Sequence, residues 1–281
     1  MNQFGKTSRF EIKAACTKNG QTFIKDSFFT APFKIMKPFP REKGGITVFQ
    51  QSASPGLLAG DSQEINICLE QNACLEIASQ SFEKVFKMEE DEKACRKISL
   101  KIGAGATLIY APNPCIPFAQ SNFYSHTEIN LEEDSRLIYE DIFCAGRVAT
   151  GEVFDFSTFQ NLIEVTKNDN LIFRDNTYYN GREKRNLTSQ LMFGSYTHCG
   201  SLLIFGYKTK VTEIREALKL EEKLLYTGIE EDSSDLSNKL INDILIEVSN
   251  TDSDDIIVRA LSKSAQSIQE LFKNLINRLP S

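Results

Sequence analysis

The chain has 281 residues, 41% of them hydrophobic and 25% charged, and 38 acidic against 32 basic side chains leave a net charge of −6. A soluble globular protein of this size buries a core without a metal or a disulfide, and the acidic balance excludes the basic footprint of a nucleic-acid or anionic-membrane binder. The opening residues Met1-Asn2-Gln3-Phe4-Gly5-Lys6 lack the apolar stretch of a signal peptide, and no run approaches ~18 apolar residues. Seven cysteines at 16, 68, 74, 95, 115, 144 and 199 form no C-x-x-C pair. Reduced thiols and a cytoplasmic location are expected, and a structural zinc site is not.

Period-two alternation runs through the first three quarters. Residues 9–16 and 21–28 flank Lys18-Asn19-Gly20, an Asn-Gly turn between apolar-alternating runs, which predicts a hairpin. After Pro38-Phe39-Pro40 and Gly44-Gly45 a strand is predicted from Ile46 to Gln50, ending at the bend Ser54-Pro55-Gly56. The middle of the chain then repeats itself. Ile65-Asn66-Ile67-Cys68-Leu69 leads through Glu70-Gln71-Asn72 into Ala73-Cys74-Leu75-Glu76-Ile77, and Ile98 to Ile102 leads through Gly103-Ala104-Gly105 into Ala106 to Tyr110. Further copies turn at Glu132-Glu133-Asp134 and at Lys167-Asn168-Asp169, with pre-turn anchors Leu69, Ile102, Leu131 and Val165 spaced 33, 29 and 34 apart. One strand–turn–strand unit cannot bury its apolar face alone, so the units must stack. The fold class expected is mainly β, with stacked sheets in a superhelical arrangement; an ordinary sandwich with hairpins of similar length is the alternative.

The last quarter changes character. Residues 212–225 carry helical spacing with Thr212 as N-cap, 230–235 form an acidic loop, and 243–248 and 255–260 read as strands. From 262 to 279, Ile268, Leu271, Phe272, Leu275, Ile276 and Leu279 mark an amphipathic helix. About two helices are therefore expected near the C-terminal quarter. No linker divides the chain, so residues 1–281 are read as a single domain.

The search for catalytic groups finds little. Only His126 and His198 are available as bases. His126 reads as a strand histidine, and His198 is followed by Cys199, whose side chain points to the opposite face of a strand. Ser81-Phe82-Glu83-Lys84 matches Ser-x-x-Lys without the partner motifs, Ile102-Gly103-Ala104-Gly105-Ala106 reads as a hairpin turn, and no phosphate-binding Gly-rich loop with Lys occurs. Glu140, Asp141, Glu152 and Asp155 could supply the paired carboxylates of a β-superhelical carbohydrate-active enzyme, the alternative function.

Specific residues point elsewhere. Ser54-Pro55-Gly56-Leu57-Leu58-Ala59-Gly60-Asp61, Ala31-Pro32-Phe33-Lys34-Ile35-Met36-Lys37-Pro38-Phe39 and Ala78-Ser79-Gln80-Ser81-Phe82-Glu83-Lys84-Val85-Phe86 occur in order. They are followed by Ala111-Pro112-Asn113-Pro114-Cys115-Ile116-Pro117-Phe118, Glu140, Gly146-Arg147-Val148-Ala149-Thr150-Gly151-Glu152 and Val258-Arg259-Ala260-Leu261. The chain resembles the urease accessory family UreD, called UreH in Helicobacter, over roughly residues 9–279. It departs from the family at Gly56-Leu57, where Gly-Gly is common.

The resemblance implies a non-catalytic maturation chaperone that binds urease apoprotein and a helical UreF-type partner, through which a UreG-type GTPase docks, in a 2:2 hetero-oligomer with UreF. It implies nickel delivered in transit, no tightly bound cofactor, and a polar tunnel through the β-core. Weak oxygen ligands suit transit, whereas converging Cys and His would trap the ion. Asp61, Glu140 and Glu152 are the tunnel-lining candidates, with Glu83 and Lys84 behind them. Ser54, Pro55, Gly56, Gly60, Gly146 and Arg147 are read as structural motif positions; Asp61 closing a turn and Arg147 pairing with Glu152 are the structural alternatives.

Overall fold

The computed structural model describes residues 7–218 and 244–280. The Asn-Gly turn joins β1 (Thr7–Cys16) to β2 (Thr22–Phe29) as an antiparallel hairpin with a bulge at Lys25. The chain then runs through β3 (Phe33–Ile35), β4 (Phe39–Pro40) and β5 (Ile46–Ser52). Next come β6 (Ser62–Leu69), β7 (Cys74–Ser79), β8 (Glu83–Val85), β9 (Ala94–Ile102), β10 (Thr107–Ala111) and β11 (Cys115–Pro117). β12 (Asn122–Leu131), β13 (Arg136–Cys144), β14 (Thr158–Lys167) and β15 (Asn170–Asn180) follow. A short helix α1 (Lys184–Leu187), β16 (His198–Phe205), a helix α2 described over 211–218, β17 (Ile244–Asn250), β18 (Ile256–Ser262) and α3 (Ala265–Arg278) complete it.

The molecule is a β-solenoid of about four turns, with 51% of the described residues in strands. A seven-stranded sheet has the order β15-β14-β12-β9-β6-β1-β2, and an eleven-stranded sheet runs β17-β18-β16-β13-β10-β7-β5-β3. Leu57, β8 and β11 stack in parallel as a short third wall.

The repeats stack as expected, but most are not hairpins. β6 and β7, β9 and β10, and β12 and β13 do not pair with each other; each pairs in parallel with its counterpart in the next coil. The turn between them is an arch carrying the chain from one sheet to the other. Gly103-Ala104-Gly105 is such an arch, and only β14–β15 among these units is a true hairpin. An arch buries both strands against one shared interior, which is why the alternation is so regular. The arches also stack. Asn72, Gly105 and Asp134 each take a left-handed conformation, and Asn72 N and Gly105 N donate to Ala104 O and Glu133 O of the next arch. In register Leu131 stands beside Lys167, so the fourth anchor is Lys167 rather than Val165.

Three apolar clusters result. One fills the space between the sheets near the arches, around Phe10, Ile65, Leu100 and Leu137. A second, rich in phenylalanine (Phe123, Phe143, Phe154, Phe156, Phe159), lies by the third wall. The third covers the outer face of the eleven-stranded sheet, where α3 lays Ile268, Phe272 and Leu275 on Ile142, Leu202 and Val258. Ser264 caps α3, as its Oγ accepts from Ser267 N, and Lys43 Nζ donates to Asn277 O and Leu279 O at the far end.

α2 begins at 211, with Ile214 N donating to Lys210 O, so Thr212 lies inside the helix and is not its cap. The rest of the helix predicted over 212–225, and the acidic stretch 230–235, fall outside the described residues. No described helix is long and apolar enough to cross a membrane.

Candidate functional site

Parallel stacking multiplies any residue that occupies one phase of the repeat. Gln63, Arg96 and Ser125 lie six residues before the pre-turn anchors Leu69, Ile102 and Leu131, and all point inward. Neighbouring strands hold them side by side in the order Ser8, Gln63, Arg96, Ser125, Asn161, Thr177. A polar row therefore crosses the interior of the seven-stranded sheet between two apolar clusters. Across from it the eleven-stranded sheet sets Asp141, Ser201 and Arg259 in register.

Hydrogen bonds hold parts of the row and its surroundings. Arg96 Nε donates to Gln63 Oε1 at 2.9 Å and its Nη2 pairs with Glu83 Oε2 at 2.7 Å, while the guanidinium stands 5.3 Å over the Phe123 ring. Tyr110 and Tyr139 stack at 5.5 Å, and Tyr139 OH meets Thr127 Oγ1 at 3.2 Å. Asn161 Nδ2 donates to Asp141 Oδ2 at 2.9 Å, bridging the two sheets. At the last coil Arg259 pairs with Asp175 at 2.7 Å and donates to Ser201 Oγ at 3.2 Å.

One acceptor is left over: Asn161 Oδ1 is buried and has no hydrogen-bond partner. Burial pushes the Asp141 carboxyl up to about 6 despite the Asn161 hydrogen bond, and raises the Tyr110 hydroxyl to about 12. The oxygens around Asp141 and Asn161 are weak, hard donors, suited to a cation that must leave again. Among the described residues no three His, Cys, Asp or Glu side chains gather as a tight metal site.

Of the tunnel-lining candidates named from the sequence, only Glu83 reaches this row; Asp141, considered there for sugar chemistry, joins it through Asn161. Asp61 closes a turn: its Oδ2 accepts from Leu58 N at 2.8 Å and its backbone oxygen accepts from Cys95 N. Gly60 beside it takes a left-handed φ of 77°. Ser54 Oγ bonds both the carbonyl and the N–H of Gly56, across Pro55, and a Cβ on Gly56 would sit 2.4 Å from Lys84 O. Lys84 itself is exposed; its carbonyl accepts from Leu57 N.

Glu152 accepts from Ala119 N and pairs with Arg147, whose guanidinium lies 4.4 Å over Phe118. A Cβ on Gly146 would be 2.7 Å from Glu152 O. These residues form a clasp between loops. Glu140, 6% exposed, lies on the other face of β13 from Asp141, among the residues under α3, and burial raises its carboxyl to about 8. Asp155 pairs with Lys184. The four acids considered for sugar chemistry are thus divided between the interior, the underside of α3 and two separate loop ion pairs.

The histidines are likewise structural. His126 meets Glu164 at 2.9 Å on the outer sheet face. His198 bonds Thr197 Oγ1 and stands across from Cys144; burial lowers the imidazole to about 4 and raises the thiol to about 12. All seven cysteines are free thiols.

The sequence profile described as UreD urease accessory protein matches residues 6–281. The chain belongs to the UreD family. It is 35% identical to the urease accessory protein UreD of Acetivibrio thermocellus over 279 residues, 99% of each chain. It is 34% identical to UreH of Helicobacter pylori G27 over 222 residues, 79% of this chain and 83% of that one. UreD of Actinobacillus pleuropneumoniae is 30% identical over 277 residues, 95% of each chain. These UreD and UreH relatives are named accessory proteins and not enzymes.

Proposed function

We propose that this chain is a maturation chaperone for urease that acts as a scaffold and lets nickel pass to the apoprotein along its interior polar row. The observation that carries the reading is the Asp141–Asn161 bridge with its unpartnered amide oxygen. It lies on a row that spans the strands from β1 to β15. Nickel is cargo here, so the weak oxygen donors are an advantage, and the free thiols are kept protonated by burial at Cys144 and Cys199. With no phosphate-binding loop of its own, the chain relies on a UreG-type GTPase, docked through a UreF-type partner in a 2:2 assembly, for the energy of the transfer. The setting is cytoplasmic, and neither nucleic acid nor membrane takes part.

The test is urease activation in cells with the accessory set co-expressed. Asp141→Asn is isosteric and keeps a hydrogen-bond acceptor for Asn161, so the expected result is an intact co-purifying complex with nickel content in urease reduced about tenfold. Full nickel loading by Asp141→Asn and by Asn161→Ala overturns the interior route. Recovery of the chain without any urease component overturns the scaffold role.

A further inference from the structure

Two arginines face the interior polar row, and they are held differently. Arg96 is clamped by Gln63, Glu83 and the Phe123 ring, and its side chain is 13% exposed. Arg259, on β18 in the last coil, bonds Asp175 and the Ser201 hydroxyl, and its side chain is 46% exposed. Both sheets end at this coil, at β15 and β17, so the movable guanidinium is the one at the solvent end of the row.

Behind it, oxygen-bearing side chains converge. Register turns Asp175 inward on β15, two residues from Thr177, which pairs with Asn161 on β14; Asp141 meets Asn161 from the opposite sheet. Burial is the main cause of the raised Asp141 carboxyl, but Asp175 raises it further and Arg259 lowers it through space, so the three charges share one neighbourhood. Asn161, 5% exposed, adds its buried amide oxygen, which has no hydrogen-bond partner. Two carboxylates brought close in a buried setting repel each other and need a positive partner. Arg259 supplies one to Asp175 alone, whereas a metal ion could take both acids and the amide oxygen together.

We propose that Asp175, Asp141 and Asn161 Oδ1 form a divalent-cation site with Arg259 as its built-in competitor, the cation entering as the guanidinium gives up Asp175. This rests on the interior route proposed above and names where the cargo is held on it. The displaced guanidinium has a place to go. Glu247 stands beside Arg259 in register on β17 and is 75% exposed, within reach of a cross-strand pair. Its bond to Arg215, at 2.8 Å, joins two exposed groups and costs little to break. Release follows from the same exchange, since the returning guanidinium takes Asp175 back.

Calorimetry with Ni²⁺ and the full, untagged chain tests the exchange. Arg259→Gln removes the competitor and should bind Ni²⁺ about tenfold more tightly than wild type, whereas Arg259→Lys, which keeps the positive charge, should not. Asp175→Asn leaves the arginine in place but removes a ligand, and should bind about tenfold more weakly; it reads the site even if Arg259→Gln folds poorly. Arg259→Gln binding no more tightly than wild type, or Asp175→Asn binding as wild type does, overturns the proposal. The route has a separate readout. If the affinities shift as expected while Asp141→Asn still loads urease fully, the site stands and the route falls; if Asp141→Asn starves urease while the affinities do not move, the route stands and this site falls.

Discussion

At the scale of single residues, the acids of this chain divide by what surrounds them rather than by sequence. Glu140 and Asp141 are adjacent, yet one is sealed under α3 and the other bridges the interior. Burial raises both, to about 8 and about 6. A carboxyl raised on folding holds more protons in the native state, so its contribution to stability is full below the unfolded value near 4.5 and is lost as pH rises toward the folded one. Glu140→Gln should therefore melt higher than wild type at pH 8, by roughly 2–4 °C for each kcal/mol regained. The gap should close toward pH 5, and an unchanged gap between pH 5 and 8 would count against this account. Glu152 behaves differently because it is partnered. Glu152→Ala strands Ala119 N and leaves Arg147 unpaired, at a cost of about 1–3 kcal/mol. Chemical denaturation should read that loss, and Glu152→Gln should recover part of it by restoring an acceptor.

At the scale of elements, α3 depends on a missing side chain. A Cβ on Gly200 would lie 2.5 Å from Ile268 Cγ2 and 2.9 Å from Phe272 Cε2. Gly200→Ala should lift the helix and destabilise by about 1–3 kcal/mol. Hydrogen exchange is expected to speed up across 265–278 while the strands of the seven-stranded sheet keep their protection. The elements themselves were largely legible in the sequence. The Asn-Gly hairpin, the last two strands and the apolar stripe of α3 stand where patterning puts them, because each is set by neighbours along the chain. The arches were misread as hairpins because Gly103-Ala104-Gly105 looks the same in both; which strand a strand pairs with is decided a full coil away. The interior row was also visible in principle. Gln63, Arg96 and Ser125 share one phase of the repeat, but polar residues in alternating strands are ordinarily turned to water, and only the register turns these inward. The Arg147–Glu152 pair joins loop residues five apart, a contact that can be judged locally.

At the scale of the whole molecule, parallel stacking makes one local choice into a continuous feature. The same geometry that lines up Leu69, Ile102 and Leu131 as core lines up the polar row beside them. It also leaves two ends that the stack cannot finish by itself, the first closed by β2 and β3 and the last by β15 and β17.

Lys43 reaches the carbonyls of Asn277 and Leu279, so the first coil and the end of α3 are fastened to each other. The ribosome makes α3 after every strand of the described coils. Until then the greasy back of the eleven-stranded sheet, Glu140 included, stays bare however early the coils have wound. A nascent chain stalled before residue 265 would be a ready client for holdase proteins, and the emergence of α3 becomes the moment at which the newborn protein turns inconspicuous.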